Sequence, residues 1–143
     1  MKPYLELKIW TDGGSRGNPG PSAGGYVIRD AKSRLIEMKG VYVGEATCNQ
    51  AEYAGLIAAL KAAHVLNATD VTVHADSKLI VCQVGGSWKV KNQGLFAMYD
   101  EARALANGFE SFRIIHIPRE QNALADEMAN KAMDRKAAVA EAC

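Results

Sequence analysis

Three strand-like stretches stand at the front of this chain before any helical pattern appears, and that order constrains its fold more than any other feature. Leu5 to Asp12 alternates through Leu7 and Ile9, Ala23 to Arg29 follows, and Leu35 to Val43 comes third, with only the polar turn "DAKSR" between the last two. Strands joined by so short a turn pair antiparallel, because a parallel pair needs a crossover of about a dozen residues or more. An all-parallel sheet is therefore excluded.

Helical and strand patterns then alternate. Asn49 to Leu66 is alanine-rich with apolar residues at helical spacing, Val71 to Ala75 is a short strand, and Ser77 to Val84 is a short helix stopped by "GGS". Asn92 to Asn107 is helical, Phe112 to Ile117 is a strand, and a last alanine-rich helix begins at Asn122. Helices between strands imply parallel neighbours, so the expected fold is α/β, a mixed five-stranded sheet with helices packed on it.

The chain has 143 residues, 48% of them apolar, which predicts a single domain over 1–143, with only the tail after Met133 expected to fray. No apolar run approaches the ~18 residues of a membrane span, and "MKPYLELKIW" lacks the layout of a secretory signal, so a cytoplasmic protein without membrane contact is expected. Cys48, Cys82 and Cys143 are odd in number, far apart and never in a C-x-x-C pair; this points to neither disulfides nor zinc and fits a reducing compartment.

The stretch "IWTDGGSRGNPGP" runs a buried-looking strand straight into Asp12 and then into what reads as a glycine-rich loop. Asp76 occupies the equivalent point in "VTVHADS", and strand ends can be neighbours in a sheet however far apart in sequence. Glu52 precedes Leu56, Ala59, Leu60 and Ala63 on one helical stripe, and Asp126 precedes Ala129 and Met133 on another, so both carboxylates are expected to face inward. Taken singly, each acid has a plain explanation as a partner of the helix dipole or as a turn residue. Four together do not, since buried carboxylates repel one another and lose hydration unless cations or protons compensate.

No Arg or Lys lies within two residues of Asp12, Glu52 or Asp126, and Lys78 is the only one that near Asp76. The expected counter-charge is a divalent metal. Hard oxygen ligands without His or Cys at ligand spacing suit Mg²⁺ or Mn²⁺, which keep several waters and take phosphate oxygens. A formal net charge of +1 is far from the basic excess of a nonspecific nucleic-acid binder, so any polyanion must be held by local placement of Lys and Arg.

Five segments, "TDGGSRGNPGP", "TCNQAEYAGLIAAL", "HADSKLI", "WKVKN" and "PREQNALADEMA", resemble in order and spacing the motifs of the ribonuclease H type 1 family, over about Leu5 to Ala132. The resemblance implies hydrolysis of the RNA strand of an RNA·DNA hybrid to 5′-phosphate and 3′-hydroxyl ends, by two cations roughly 4 Å apart, one generating hydroxide and one stabilising the leaving 3′-oxygen. It implies that Asp12, Glu52, Asp76 and Asp126 hold those ions, Mg²⁺ with Mn²⁺ as a substitute. Asp12 would bridge both, Glu52 and Asp76 would complete the first site, Glu52 would also lie near the 2′-hydroxyl, and Asp126 would hold the second ion. A monomer is expected, with the hybrid as partner and double-stranded RNA as a candidate second substrate.

The same resemblance implies a substrate surface. The Gly13 amide and Asn18 would meet the RNA, and Thr47, Cys48, Asn49 and Gln50 would bond 2′-hydroxyls and base edges. Trp88 would offer a flat face to a deoxyribose, Lys89 and Lys91 would add charge, and Asn92 with Thr47 would grip a DNA phosphate. As ordinary chemistry these segments read as a tight turn, an N-cap and a solvated loop.

The chain also departs from the family pattern. Only "VGGSW" stands where many members carry a long basic insertion, which implies a weaker or more salt-sensitive hold on substrate, and Cys48 stands where Asn is usual, a change at one of the expected hydrogen bonds to RNA. Many relatives have a mobile His before the fourth acid that aids product release. Here Arg119 is the favoured substitute, Glu120 a lesser one, and His116 reads as a strand residue although an ungapped count places it near that slot. His64 and His74 read as structural. Two competing readings are a hybrid-binding module without catalysis, which the four intact acids oppose, and a transposase or resolvase core, which "TCNQAEY" and "VKN" disfavour.

Overall fold

The structure, a computed structural model, describes residues 3–141; Cys143 lies outside them. The alternation at the front of the chain forms β1, Glu6–Ser15, which buries Leu7 and Ile9 completely. With β2, Gly20–Asp30, and β3, Leu35–Ala46, it makes an antiparallel meander. On the other flank of β1, β4, Asp70–Ala75, pairs parallel, and β5, Ser111–His116, pairs parallel with β4.

The sheet is mixed, as expected, but has six strands rather than five. In the segment where fraying was expected, β6, Val139–Glu141, adds antiparallel to the edge of β3, giving the order β5-β4-β1-β2-β3-β6. Three residues are too short an alternation to stand out in a sequence; what places them is the burial of Val139 in a cluster with Met38 and Met128.

β1 also runs past Asp12. Gly13 and Gly14 stay in the ladder opposite Gly24 and Ala23, and the turn falls only at 16–19. Glycines that read as a loop signal serve a different purpose here. A Cβ on Gly13 would stand 2.5 Å from the Ala51 carbonyl oxygen, and one on Gly55 would stand 2.6 Å from that of Asp12. Only bare backbone on both sides lets helix α1, Cys48–Val65, lie this close across β1.

α1 begins at Thr47, where a reciprocal capping box with Gln50 satisfies the first amides, and its stripe of Leu56, Ala59, Leu60 and Ala63 is fully buried. Each such leucine contributes about 1.5–3 kcal/mol of burial. α2, Lys78–Val84, is capped by Ser77, and α3, Gln93–Asn107, is capped by Asn92 and packs outside α1 on the same face of the sheet. The opposite face is covered by α4, Ala123–Arg135, over β2 and β3. The two faces follow from the period-two alternation of the strands: Tyr26 and Ile28 belong to the α1 side, Ala23 and Val27 to the α4 side.

Candidate active site

Parallel pairing of β1 with β4 sets Thr11 opposite Ala75, so Asp12 and Asp76 follow neighbouring points of adjacent strands. Close approach of α1 brings Glu52 over the same point. Carboxylate oxygens of Asp12, Glu52 and Asp76 lie within 4.8 Å of one another, with Asp12 and Glu52 buried and Asp76 half-buried. Among the described residues, no ion pair involves any of these acids or Asp126.

Concentrating negative charge away from water has the expected cost. Burial, then the charge of Asp76, pushes the Asp12 carboxyl from 3.8 up to about 7, against the Gly13 amide, which donates to Asp12 Oδ1 at 2.9 Å and favours the ionised form. Burial, then Asp12, raises Glu52 well above the ordinary range. Glu52 Oε2 is buried with no hydrogen-bond partner. A buried carboxylate oxygen with no donor is costly unless a cation or proton meets it. The donor set is all oxygen, which fits a hard divalent ion rather than a thiophilic one.

Asp126 sits in the first turn of α4, half-buried, near enough for its charge to raise Asp12 further but outside the 4.8 Å group. Arg119 and Glu120 are exposed on a single 3₁₀ turn, Arg119–Gln121, just before that helix. His116 closes β5, exposed, with Nε2 3.2 Å from the Asp76 carbonyl oxygen. It is thus a strand residue, and also a neighbour of the third acid. His64 stacks on Phe109 and His74 on Trp10, each bonded to a backbone carbonyl, in keeping with structural roles.

The residues expected to meet substrate fall into two adjoining groups. Asn18, Thr47, Asn49, Gln50 and Asn92 line one polar hollow, and Trp88 with Lys89 and Lys91 lines another; Trp88 is 46% exposed with Lys78 Nζ 6.0 Å from its ring centre. Several of these groups already have work inside the fold. Asn18 Oδ1 accepts from the Cys48 amide at 3.0 Å, Thr47 and Gln50 cap α1, and Asn92 Oδ1 accepts from Gly94 at 2.7 Å. The Gly13 amide, expected to face RNA, is spent on Asp12.

One residue of this site was missed in the sequence. Asn122 is 1% exposed and its amide reaches Asp76 Oδ2 at 3.3 Å. An Asn before a helix reads as a cap, and nothing in a single sequence marks one whose side chain turns elsewhere.

A family model described as reverse transcriptase-like matches residues 10–132. The bifunctional protein Rv2228c of Mycobacterium tuberculosis is 46% identical over 140 residues, covering 96% of this chain and 38% of that protein. Ribonuclease HI of Halobacterium salinarum is 42% identical over 128 residues, covering 90% of this chain and 64% of that protein. This chain therefore spans less than two thirds of those relatives. The crystal structure of LC11-RNase H1 in complex with an RNA/DNA hybrid superposes with a TM-score of 0.86 at 39% identity, covering 91% of this chain and 98% of that one. Similarity along most of the chain, together with three converging carboxylates on this sheet, places it in one group: the chain belongs to the ribonuclease H type 1 family.

Proposed function

We propose that this chain is an endonuclease that hydrolyses the RNA strand of RNA·DNA hybrids, leaving 5′-phosphate and 3′-hydroxyl ends. The observation that carries the proposal is the convergence of Asp12, Glu52 and Asp76 within 4.8 Å, without a basic partner and with a buried, unpartnered Glu52 oxygen. A pair of Mg²⁺ ions, or Mn²⁺ in their place, supplies at such a site the charge that activates water and neutralises a departing 3′-oxygen. Asp12, Glu52 and Asp76 would hold one ion, and Asp126, with Asp12, would hold the other. The Gly13 amide keeps one Asp12 oxygen oriented, and burial of Asp12 and Glu52 excludes the water that would weaken their hold.

Substrate is selected beside the acids. The amide-lined hollow around Asn18, Asn49 and Gln50 takes the strand with 2′-hydroxyls, with Cys48 next in the chain to it, while Thr47 and Asn92 take a phosphate of the DNA strand. Trp88 and Lys91 extend that DNA path, and Arg119 serves the departure of product. The described residues form one domain, which we take to be a monomer of a reducing, cytoplasmic compartment. No described helix is long and apolar enough to cross a membrane.

A digest with each strand labelled in turn, run on hybrid, double-stranded RNA and DNA duplex, tests this reading. Cleavage of the RNA strand of the hybrid, lost with a chelator and restored by Mg²⁺ or Mn²⁺, is the expected result. Binding without cleavage, or cleavage of DNA duplex, would refute it.

A further inference from the structure

Asn122 stands at the N-terminal cap position of α4, where an asparagine side chain ordinarily accepts from the helix's own first amides. No such side-chain bond forms here. Instead its amide Nδ2 donates to the Thr11 carbonyl oxygen at 2.8 Å and to Asp76 Oδ2 at 3.3 Å, and its buried Oδ1 has no partner. Its own backbone carbonyl accepts from the Asp126 amide at 3.2 Å. One residue therefore touches the strand just before Asp12, the carboxylate of Asp76 and the helical turn of Asp126. Forgoing a cap and leaving a buried carbonyl unsatisfied both cost stability, and what the arrangement gains is a bond to β1 beside Asp12 and a donor on the Asp76 carboxylate.

We propose that Asn122 is a positioning residue for the cation site. By donating to Asp76 Oδ2 it fixes the carboxylate and leaves Oδ1, which makes no hydrogen bond among the described residues, free to ligate. A neutral donor is required at this position, since an acid there would add to the crowding of negative charge. Ligand-orienting partners of this kind typically change metal affinity or activity about 10–100-fold when removed.

This inference rests on the cation-site reading, and Mn²⁺ binding to the full chain, followed by the electron spin resonance signal of free Mn²⁺, separates the two. Asn122→Ser can cap α4 but is too short to reach Asp76. It should weaken Mn²⁺ binding about 10-fold and lower kcat while the KM for hybrid stays within about 2-fold, and it should add nothing in an Asp76→Asn background. Unchanged Mn²⁺ affinity in Asn122→Ser, with binding lost in Asp12→Asn, would overturn the role of Asn122 alone. An additive loss in the Asp76→Asn background would overturn it too. Wild-type binding by Asp12→Asn would instead bring down the cation site. If circular dichroism shows Asn122→Ser unfolded, Asn122→Asp, which keeps size and capping ability but replaces the donor, decides by the same criteria.

Discussion

The two helices that carry acids present them in different ways. α1 presents Glu52 from a contact in which Gly13 and Gly55 let helix and strand backbones meet, and the carboxylate is 8% exposed. α4 lies just as close over Gly25, where a Cβ would stand 2.3 Å from the Ala125 carbonyl oxygen, but carries Asp126 at its open end, half-buried. Backbone contact thus seats both helices on the sheet, and at the α4 end Asn122 adds a side-chain bond to Asp76 Oδ2 at 3.3 Å. An acid buried in such a contact loses its hydration; one at an open helix end keeps more of it.

The sharpest way to break this distinction is to neutralise one acid of each kind. Asp12→Asn should retain its circular dichroism spectrum and lose roughly a thousand-fold or more in cleavage rate, about 4 kcal/mol of barrier. Asp126→Asn should lose less in the same assay. Equal losses would erase the difference between them.

Titration gives the next largest effect. Asp12 has an ordinary value of 3.8 and is pushed up to about 7 in the fold, so between those values the folded protein holds a proton that the unfolded chain has released. Metal-free stability must then fall as pH rises from about 4 through about 7, by an amount on the order of 4 kcal/mol. Glu52 acts in the same direction. Denaturant titrations in chelator should show the decline, Asp12→Asn should lessen it and leave the part due to the burial of Glu52, and Mg²⁺ should raise Tm more at pH 8 than at pH 5. Stability that rises with pH over this window would contradict the burial of the pair.

Smaller again are the glycine contacts. Gly13→Ala and Gly25→Ala should each cost about 1–3 kcal/mol by urea denaturation, since each forces a helix away from the sheet. Both should also cut kcat, Gly13→Ala because it displaces Glu52 and Gly25→Ala because it displaces the turn that carries Asp126; unchanged activity in either variant would show that the helix contact does not place its acid. Smallest, Arg119→Ala should slow steady-state turnover several-fold while single-turnover rates keep their metal dependence. An unchanged steady-state rate would remove Arg119 from the site.

Much of this was legible in the sequence because its signals are periodic. The stripe through Leu56, Leu60 and Ala63 pointed Glu52 inward, and the strands ending near Asp12 and Asp76 announced neighbours. What stayed hidden is what depends on contact across the fold. Gly13 and Gly14 read as loop glycines because a close helix crossing leaves no local mark. β6 offered too few residues to show a period, and Asn122 looked like a cap until its side chain could be followed to Asp76.

The strand order has one more consequence, for a chain emerging from a ribosome. β1 is made first yet lies between β4 and β2, so the meander of β1 to β3 can assemble from nearby pairings alone. Glu52 follows at once on α1, but Asp12 meets Asp76 only when β4 docks and Asp126 only when α4 closes the opposite face. Nascent polypeptide would acquire a scaffold before the carboxylates of its candidate cation site come together.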